Sequence, residues 1–594
     1  MPSTPAQIDT VSRLIMQGGF QEAKSLLTRI LRSSPADFDA NNAMGVALAR
    51  THEHERAVFY ADRAVAVRPS SASARANRGN ILYFLGRLGE AERDFKAGVE
   101  AEPAHVPSWR GWAKTMVLAG RLAEGEDVAR QGLERLPGDR DLRQVLAQVW
   151  LEMGEPERAI GLYRRLAAEP GHEPDDLTWL AYALNYTPGA APTEIWEAHR
   201  TAGARLARAA IASAVRVGPP PIPGGDRLRV GFLSGDLRSH SVAYFALPII
   251  ERLDRARFEV LGYSAAADHD AVSDRIRSAC TRWRHVWGKP PEEVVRLVRG
   301  DGVHVLFELA GYTMGNALET LVLRPAPLCV TAIGYPNTTG LDAVDLRMVD
   351  ALTDPPALDG SDGGLSSERL LRIDPCFLCY SPPPDAPEVA QRPGAPVTFA
   401  SFNANTKLNE GVIDAWAKVL GEAPGSRLLI KNRALGDVGT RARVLARFAA
   451  RGVDAARLEL TGQAKTIPEH LAMYGRVDIA LDTFPYCGTT TTCEALYMGV
   501  PVVTLAGPAE PGRHAWRVGA SLLSAAGLPE LIAPDVGTYV EIAARLAGDG
   551  GARRAYRGTL RARLRASSLC DADAYAARIG IALERLWRER AAHA

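Results

Sequence analysis

Cysteine is scarce in this chain of 594 residues: there are seven, none before Cys280. That is too few and too late for a disulfide framework, so a reducing cytoplasm is the expected compartment. Lysine is scarce too. Of 70 basic residues only 8 are lysine, so any lysine in a motif carries more information than one of the 62 arginines. Net charge is nearly absent, at +1, which calls for neither nucleic acid nor an anionic membrane as an obligate partner. No apolar run approaches the ~18–20 residues of a membrane span. The opening MPSTPAQIDTVSRL lacks the basic-then-apolar layout of a signal peptide. What is present, 46% hydrophobic and 23% charged residues, excludes wholesale disorder.

The first third is periodic. Proline recurs at Pro35, Pro69, Pro103 and Pro137, every 34 residues, with Pro170 one residue early. Small residues keep the same step at Ala23, Ala57, Ala91, Gly125 and Ala159. A turn position keeps it at Gly18, His52, Gly86, Gly120 and Gly154, broken only by the histidine. Glycine lets the chain turn between two helices, the small residue lets them approach, and proline halts the second helix. The pattern resembles the tetratricopeptide repeat. Residues 1–170 are therefore expected to form an α-solenoid with a concave surface. Such a surface grips an extended protein segment or mediates self-association, here a homodimer. Helical pattern without the period continues over 171–225, ending in the linker VGPPPIPGGDR.

Beyond it, short β-rich runs alternate with helical ones. RVGFLSGD, FEVLGYSA, VHVLFELAG, LCVTAIGYP and LRMVDAL form one set, within 226–385. VTFASFN, RLLIKN, LELTGQ, DIALDT and PVVTL form a second, within 396–594, after the proline-rich break SPPPDAPEVAQRPGAP. Continuous apolar strands separated by helices predict two doubly wound parallel α/β lobes, with ligands at the carboxyl ends of strands.

Four long stretches carry a resemblance: VGFLSGDLRSHSVAYF, DGVHVLFELAGYTMGNALETLVLRPAPLCVTAIGYPNTTG, FASFNANTKLNE and PEHLAMYGRVDIALDTFPYCGTTTTCEALYMGVPVVTLAG. In this order they resemble the O-linked N-acetylglucosamine transferase and SPINDLY-like family, which also has tetratricopeptide repeats. The resemblance implies a GT-B fold and metal-independent, inverting transfer of a sugar from a nucleotide donor to serine or threonine of a protein. No cofactor or metal is implied, since the nucleotide sugar is a substrate. It places Lys407 on the donor diphosphate, Glu494 on the ribose hydroxyls, His470 against the uracil, and the loop Gly334, Tyr335, Pro336 beside the sugar. It places His240 near the acceptor hydroxyl, as base or as orienting group. It also makes His304, with Asp301 beside it, a second active-site pair, although a histidine in an apolar strand reads equally as core.

Physical chemistry supports part of this independently. Gly488 and the threonines Thr489, Thr490 and Thr491 follow a strand and open a helix, where backbone N–H groups and hydroxyls suit a diphosphate. A lysine at a strand end suits a leaving group that gains negative charge. Asn337 and Ala404 depart from the family pattern and leave the sugar open. UDP-N-acetylglucosamine is the family default, and a CMP-linked nonulosonic acid moved to flagellin is the alternative for a bacterial relative. A tetratricopeptide scaffold with an inactive lobe is the non-enzyme reading. Cys376 and Cys379 form a CxxC that nothing nearby completes into a zinc site, so buried thiols are expected.

Overall fold

The computed structural model describes residues 3–169, 174–213, 218–358, 364–392, 396–510 and 512–592. Met1–Met153 with Gly436–Thr440 make one compact unit, and Gly154–Leu435 with Arg441–Ala594 the other.

The first unit is a helical repeat array. Helices begin at Phe20, His54, Leu88 and Leu122, and their partners at Phe38, Ala72, Val106 and Arg140, each series stepping by 34. The turn position is left-handed throughout, with φ of 77° at Gly18, 72° at Gly86 and 73° at Gly120, and His52 adopts it too at 59°. Ala23, Ala57 and Ala91 are wholly buried, as the close-approach role requires. Phe95 explains two further glycines: a Cβ at Gly111 or Gly79 would lie 2.2 or 2.8 Å from its ring. The proline carbonyls have a periodic use. Pro35, Pro69 and Pro103 accept from Asn41, Arg75 and Trp109, each six residues on. Pro170 lies outside the described residues.

The second unit holds two parallel sheets. The first contains β1 (Leu228–Ser234), β2 (Phe258–Ser264), β3 (Arg282–His285), β4 (Val305–Glu308), β5 (Leu328–Thr331), β6 (Leu346–Val349) and β7 (Arg369–Arg372), ordered 3-2-1-4-5-6-7. The second contains β8 (Thr398–Ser401), β9 (Arg427–Lys431), β10 (Leu458–Thr461), β11 (Ile479–Leu481), β12 (Val502–Leu505) and β13 (Ile532–Ala533), ordered 10-9-8-11-12-13. Both are doubly wound, with the order reversing between β1 and β4 and between β8 and β11. Ligands bind at such switch points.

Two helical segments have roles the sequence pattern did not show. The helices Pro174–Leu184 and Pro192–Ser213 are more than adaptors. Leu177, Ala181 and Ala202 join Leu233, Tyr263 and Tyr335 in one apolar cluster and so cover a face of the first sheet. The last helix, Ala572–Ala592, follows the second sheet in the chain but packs on the first lobe, burying Tyr575, Ile579 and Leu583 with Phe258 and Val260. Among the described residues no helix is long and apolar enough to cross a membrane.

Candidate active site

The carboxyl ends of both sheets open on one cavity of about 610 Å³. The first lobe lines it with the loop after β1 (Ser239–Val242) and the loop after β5 (Ile333, Gly334, Pro336). The second lobe lines it with residues after β8, β9, β10, β11 and β12. Of the 8 lysines in the chain, Lys407, Lys431 and Lys465 all line this cavity.

Lys407 lies on a short 3₁₀ turn, Asn405–Lys407, directly after β8. Its Nζ donates to the Cys487 carbonyl (2.7 Å) and sits 4.2 Å from the centre of the Tyr486 ring, which stacks on Tyr186. Burial pulls its pKa down to about 8, with the nearby Asp482 carboxylate opposing. Across the β8–β11 switch, Thr489, Thr490 and Thr491 form the start of the helix Thr490–Tyr497 and line the cavity. Its first N–H groups have no partners within the helix, so they and the lysine make one electropositive wall.

Gly488 acts differently from the expectation. Its N–H is not free for an anion but donates to Asp482 Oδ1 at 2.6 Å. A Cβ there would lie 2.6 Å from Thr491 Oγ1, so glycine is needed for the tight turn rather than for ligand contact.

Glu494, one turn into the helix, accepts from His470 Nε2 at 2.8 Å. His470 Nδ1 in turn faces Lys431 Nζ, whose pKa burial pulls down to about 8, with Glu494 opposing. This arrangement fixes His470 with its proton on Nε2. Lys431 was visible only as the end of the run RLLIKN, and the scarcity of lysine was the signal available to find it.

His240 lines the cavity from the first lobe. Its Nδ1 accepts from the Val242 amide (3.3 Å) and lies 3.4 Å from Asp236 Oδ1. Burial pulls its pKa down while Asp236 opposes, and the Val242 bond leaves the proton of the neutral ring on Nε2.

A family model for glycosyl transferase family 41 matches residues 219–370 and 388–579. The chain belongs to this family. It is 36% identical over 421 residues to a protein of Arabidopsis thaliana named probable UDP-N-acetylglucosamine–peptide N-acetylglucosaminyltransferase SPINDLY, covering 68% of this chain and 44% of that one. The protein of the same name from Oryza sativa subsp. japonica is 38% identical over 413 residues, with the same coverage. The chain thus spans less than half the length of these relatives. A solved structure of an O-GlcNAc transferase mutant from Thermobaculum terrenum superposes with a TM-score of 0.79 at 33% identity, covering 87% of this chain and 98% of that one.

Within this family 41 fold, three of the expected site residues stand elsewhere. His304 precedes β4 at the amino end of the sheet, away from the cavity. Its Nδ1 accepts from the Arg229 amide (3.0 Å), its ring packs edge-on to Trp587 at 4.6 Å, and burial pulls its pKa to about 4. Asp301 caps the helix Pro291–Gly300 and is held by Arg284 (2.6 Å), Arg282 and Tyr263 (2.9 Å). Both are structural, and the reading of them as a catalytic pair is corrected. Tyr335 points away from the cavity that Gly334 and Pro336 line. Its hydroxyl is held by Asn185 Nδ2 (2.9 Å) and His199 Nε2 (2.7 Å). The Asn337 side chain likewise bonds Asn185 (2.8 Å) rather than facing the cavity, so its departure from the family pattern says nothing about the sugar. Gly334 is irreplaceable on packing grounds, since a Cβ would fall 2.0 Å from the Leu309 carbonyl. Cys376 and Cys379 are buried free thiols.

The two depressed lysines predict a pH signature. Their ammonium forms attract a diphosphate and are lost as pH rises through about 8, so donor affinity should fall from pH 7 to pH 9. Stability moves the other way. An unfolded lysine holds its proton to about 10.4, so between the two values the unfolded chain binds more protons and a higher pH favours the fold. The stability of wild type relative to Lys431→Met should therefore rise over that window, as denaturation at several pH values would test. A flat difference would mean that Lys431 is not desolvated.

Proposed function

We propose that the chain is a protein O-glycosyltransferase that moves N-acetylglucosamine from UDP-N-acetylglucosamine to serine or threonine, with inversion and without a metal. The observation that carries this reading is the wall formed by Lys407 and the Thr489–Thr491 helix start at the β8–β11 switch. It is a site for a diphosphate whose charge grows as the nucleotide departs. Glu494 and His470 lie on one side of it for the nucleoside, and the Ile333–Pro336 loop faces it from the acceptor lobe. His240, with its proton on Nε2, orients the acceptor hydroxyl. Inversion follows if that hydroxyl attacks from the face opposite the diphosphate. The names of the relatives support the sugar and the nucleotide, and the repeat array supports a polypeptide acceptor gathered by many weak contacts.

The test is intact-mass analysis of candidate acceptors, flagellin among them, after incubation with enzyme and a panel of nucleotide sugars, with and without EDTA. An increment of one N-acetylhexosamine, from the UDP donor and undiminished by chelation, is the expected result. Transfer only from a CMP-linked donor, or only with added Mn²⁺ or Mg²⁺, would overturn the corresponding part.

A further inference from the structure

His514 was not singled out by any motif, yet it lines the cavity from the start of the helix His514–Ala525, after β12. Its Nδ1 lies 2.6 Å from Asp354 Oδ2, a carboxylate of the first lobe. Asp354 Oδ1 accepts from Arg347 Nη2 at 2.9 Å; burial pushes this carboxyl up, but the Arg347 guanidinium and the hydrogen bond from His514 outweigh it and hold it well below the usual carboxylate range. An ionised Asp354 fixes the proton of His514 on Nδ1. In the neutral ring the remaining lone pair is on Nε2. Nε2 is then a lone-pair acceptor, and it has no hydrogen-bond partner among the described residues.

The strand order says what that acceptor meets. Across the carboxyl edge of the second sheet, His470 and Lys431 follow β10 and β9, Lys407 and Thr489 flank the β8–β11 switch, and His514 follows β12. His514 is therefore on the far side of the diphosphate wall from the nucleoside end. It is also close to that wall: Cys487, whose carbonyl holds Lys407, donates its N–H to the Ala515 carbonyl (3.1 Å). In a nucleotide sugar, the group beyond the diphosphate is the sugar. We propose that His514 determines donor specificity by accepting a hydrogen bond, through Nε2, from a hydroxyl of the transferred sugar, with Asp354 as its positioning residue. This rests on the nucleotide-sugar reading above.

His514→Asn separates the two nitrogens, because the asparagine amide still donates to Asp354 while nothing replaces Nε2. Calorimetric titration should show affinity for UDP-N-acetylglucosamine reduced up to about tenfold, the usual worth of one hydrogen bond, and affinity for UDP unchanged. Equal loss of both, or loss of neither, would overturn the proposal and leave His514 as a bolt between the lobes. Deoxy analogues of the donor sugar, titrated into wild-type protein, give a test that needs no variant. One analogue should bind about as weakly as the intact donor binds the variant, and uniform binding across the set would equally overturn the assignment. Wild type that binds no nucleotide sugar at all would instead remove the functional reading beneath it.

Discussion

Lys407→Ala is expected to lower the rate of transfer by about 10²–10³ without harming the fold. The ammonium is placed against the β8–β11 switch, at hydrogen-bond distance from the strand-end backbone on Cys487. Removing it takes away the cation nearest the Thr490–Tyr497 helix start and leaves the departing diphosphate chiefly the dipolar donors of that helix. Those remain in place, because Thr491 is held by Asn403 (3.0 Å) and Gly488 by Asp482, neither through the lysine. Stability should hold or rise, since burial already disfavours the charged form. Single-turnover kinetics beside a thermal melt would check both halves. Near-normal turnover would remove the assignment of the cavity, whereas a melt lowered in step with activity would mean that Lys407 serves the fold.

How far the residues themselves revealed this arrangement depended on burial. The central strands announced themselves as continuous apolar runs, because both faces of a parallel sheet are covered. The edge strands β3 and β7 did not: RWRH and RLLR are half exposed and polar, and β13 is two residues long. The array was legible because its turn, close-approach and helix-stop positions repeat in phase. Within the site, groups in loops after strands, such as Lys407, Thr489–Thr491 and His240, could be located from sequence. His304 misled because its strand is the right one and its end the wrong one, a distinction that four residues of β4 cannot display. The Asp354–His514 pair was hidden because its members lie 160 residues apart and meet only when the lobes pack. Asp482 was read merely as part of a strand, though it organises the whole turn.

That carboxylate supports the other large expected effect. Asp482 is buried at the end of β11, where Oδ1 accepts from the amides of Gly488 (2.6 Å) and Thr483 (2.8 Å) and Oδ2 from the Thr504 hydroxyl (2.7 Å). Asp482→Ala leaves three buried donors unpaired at once. At about 1–3 kcal/mol each, with partial relaxation, the loss should be on the order of 3–5 kcal/mol in urea unfolding, a large part of a domain's stability. Asp482→Asn divides structure from charge. The amide oxygen still receives both backbone N–H groups, and the Thr504 hydroxyl can turn to accept from the amide nitrogen, so most of the stability should survive. The anion that favours the Lys407 ammonium is gone, however, so the alkaline limb of the activity profile, expected near pH 8 in the wild type, should move to lower pH. An alanine variant as stable as wild type would show that the turn does not depend on Asp482. An asparagine variant with an unshifted limb would show that the carboxylate builds the turn but does not tune the lysine.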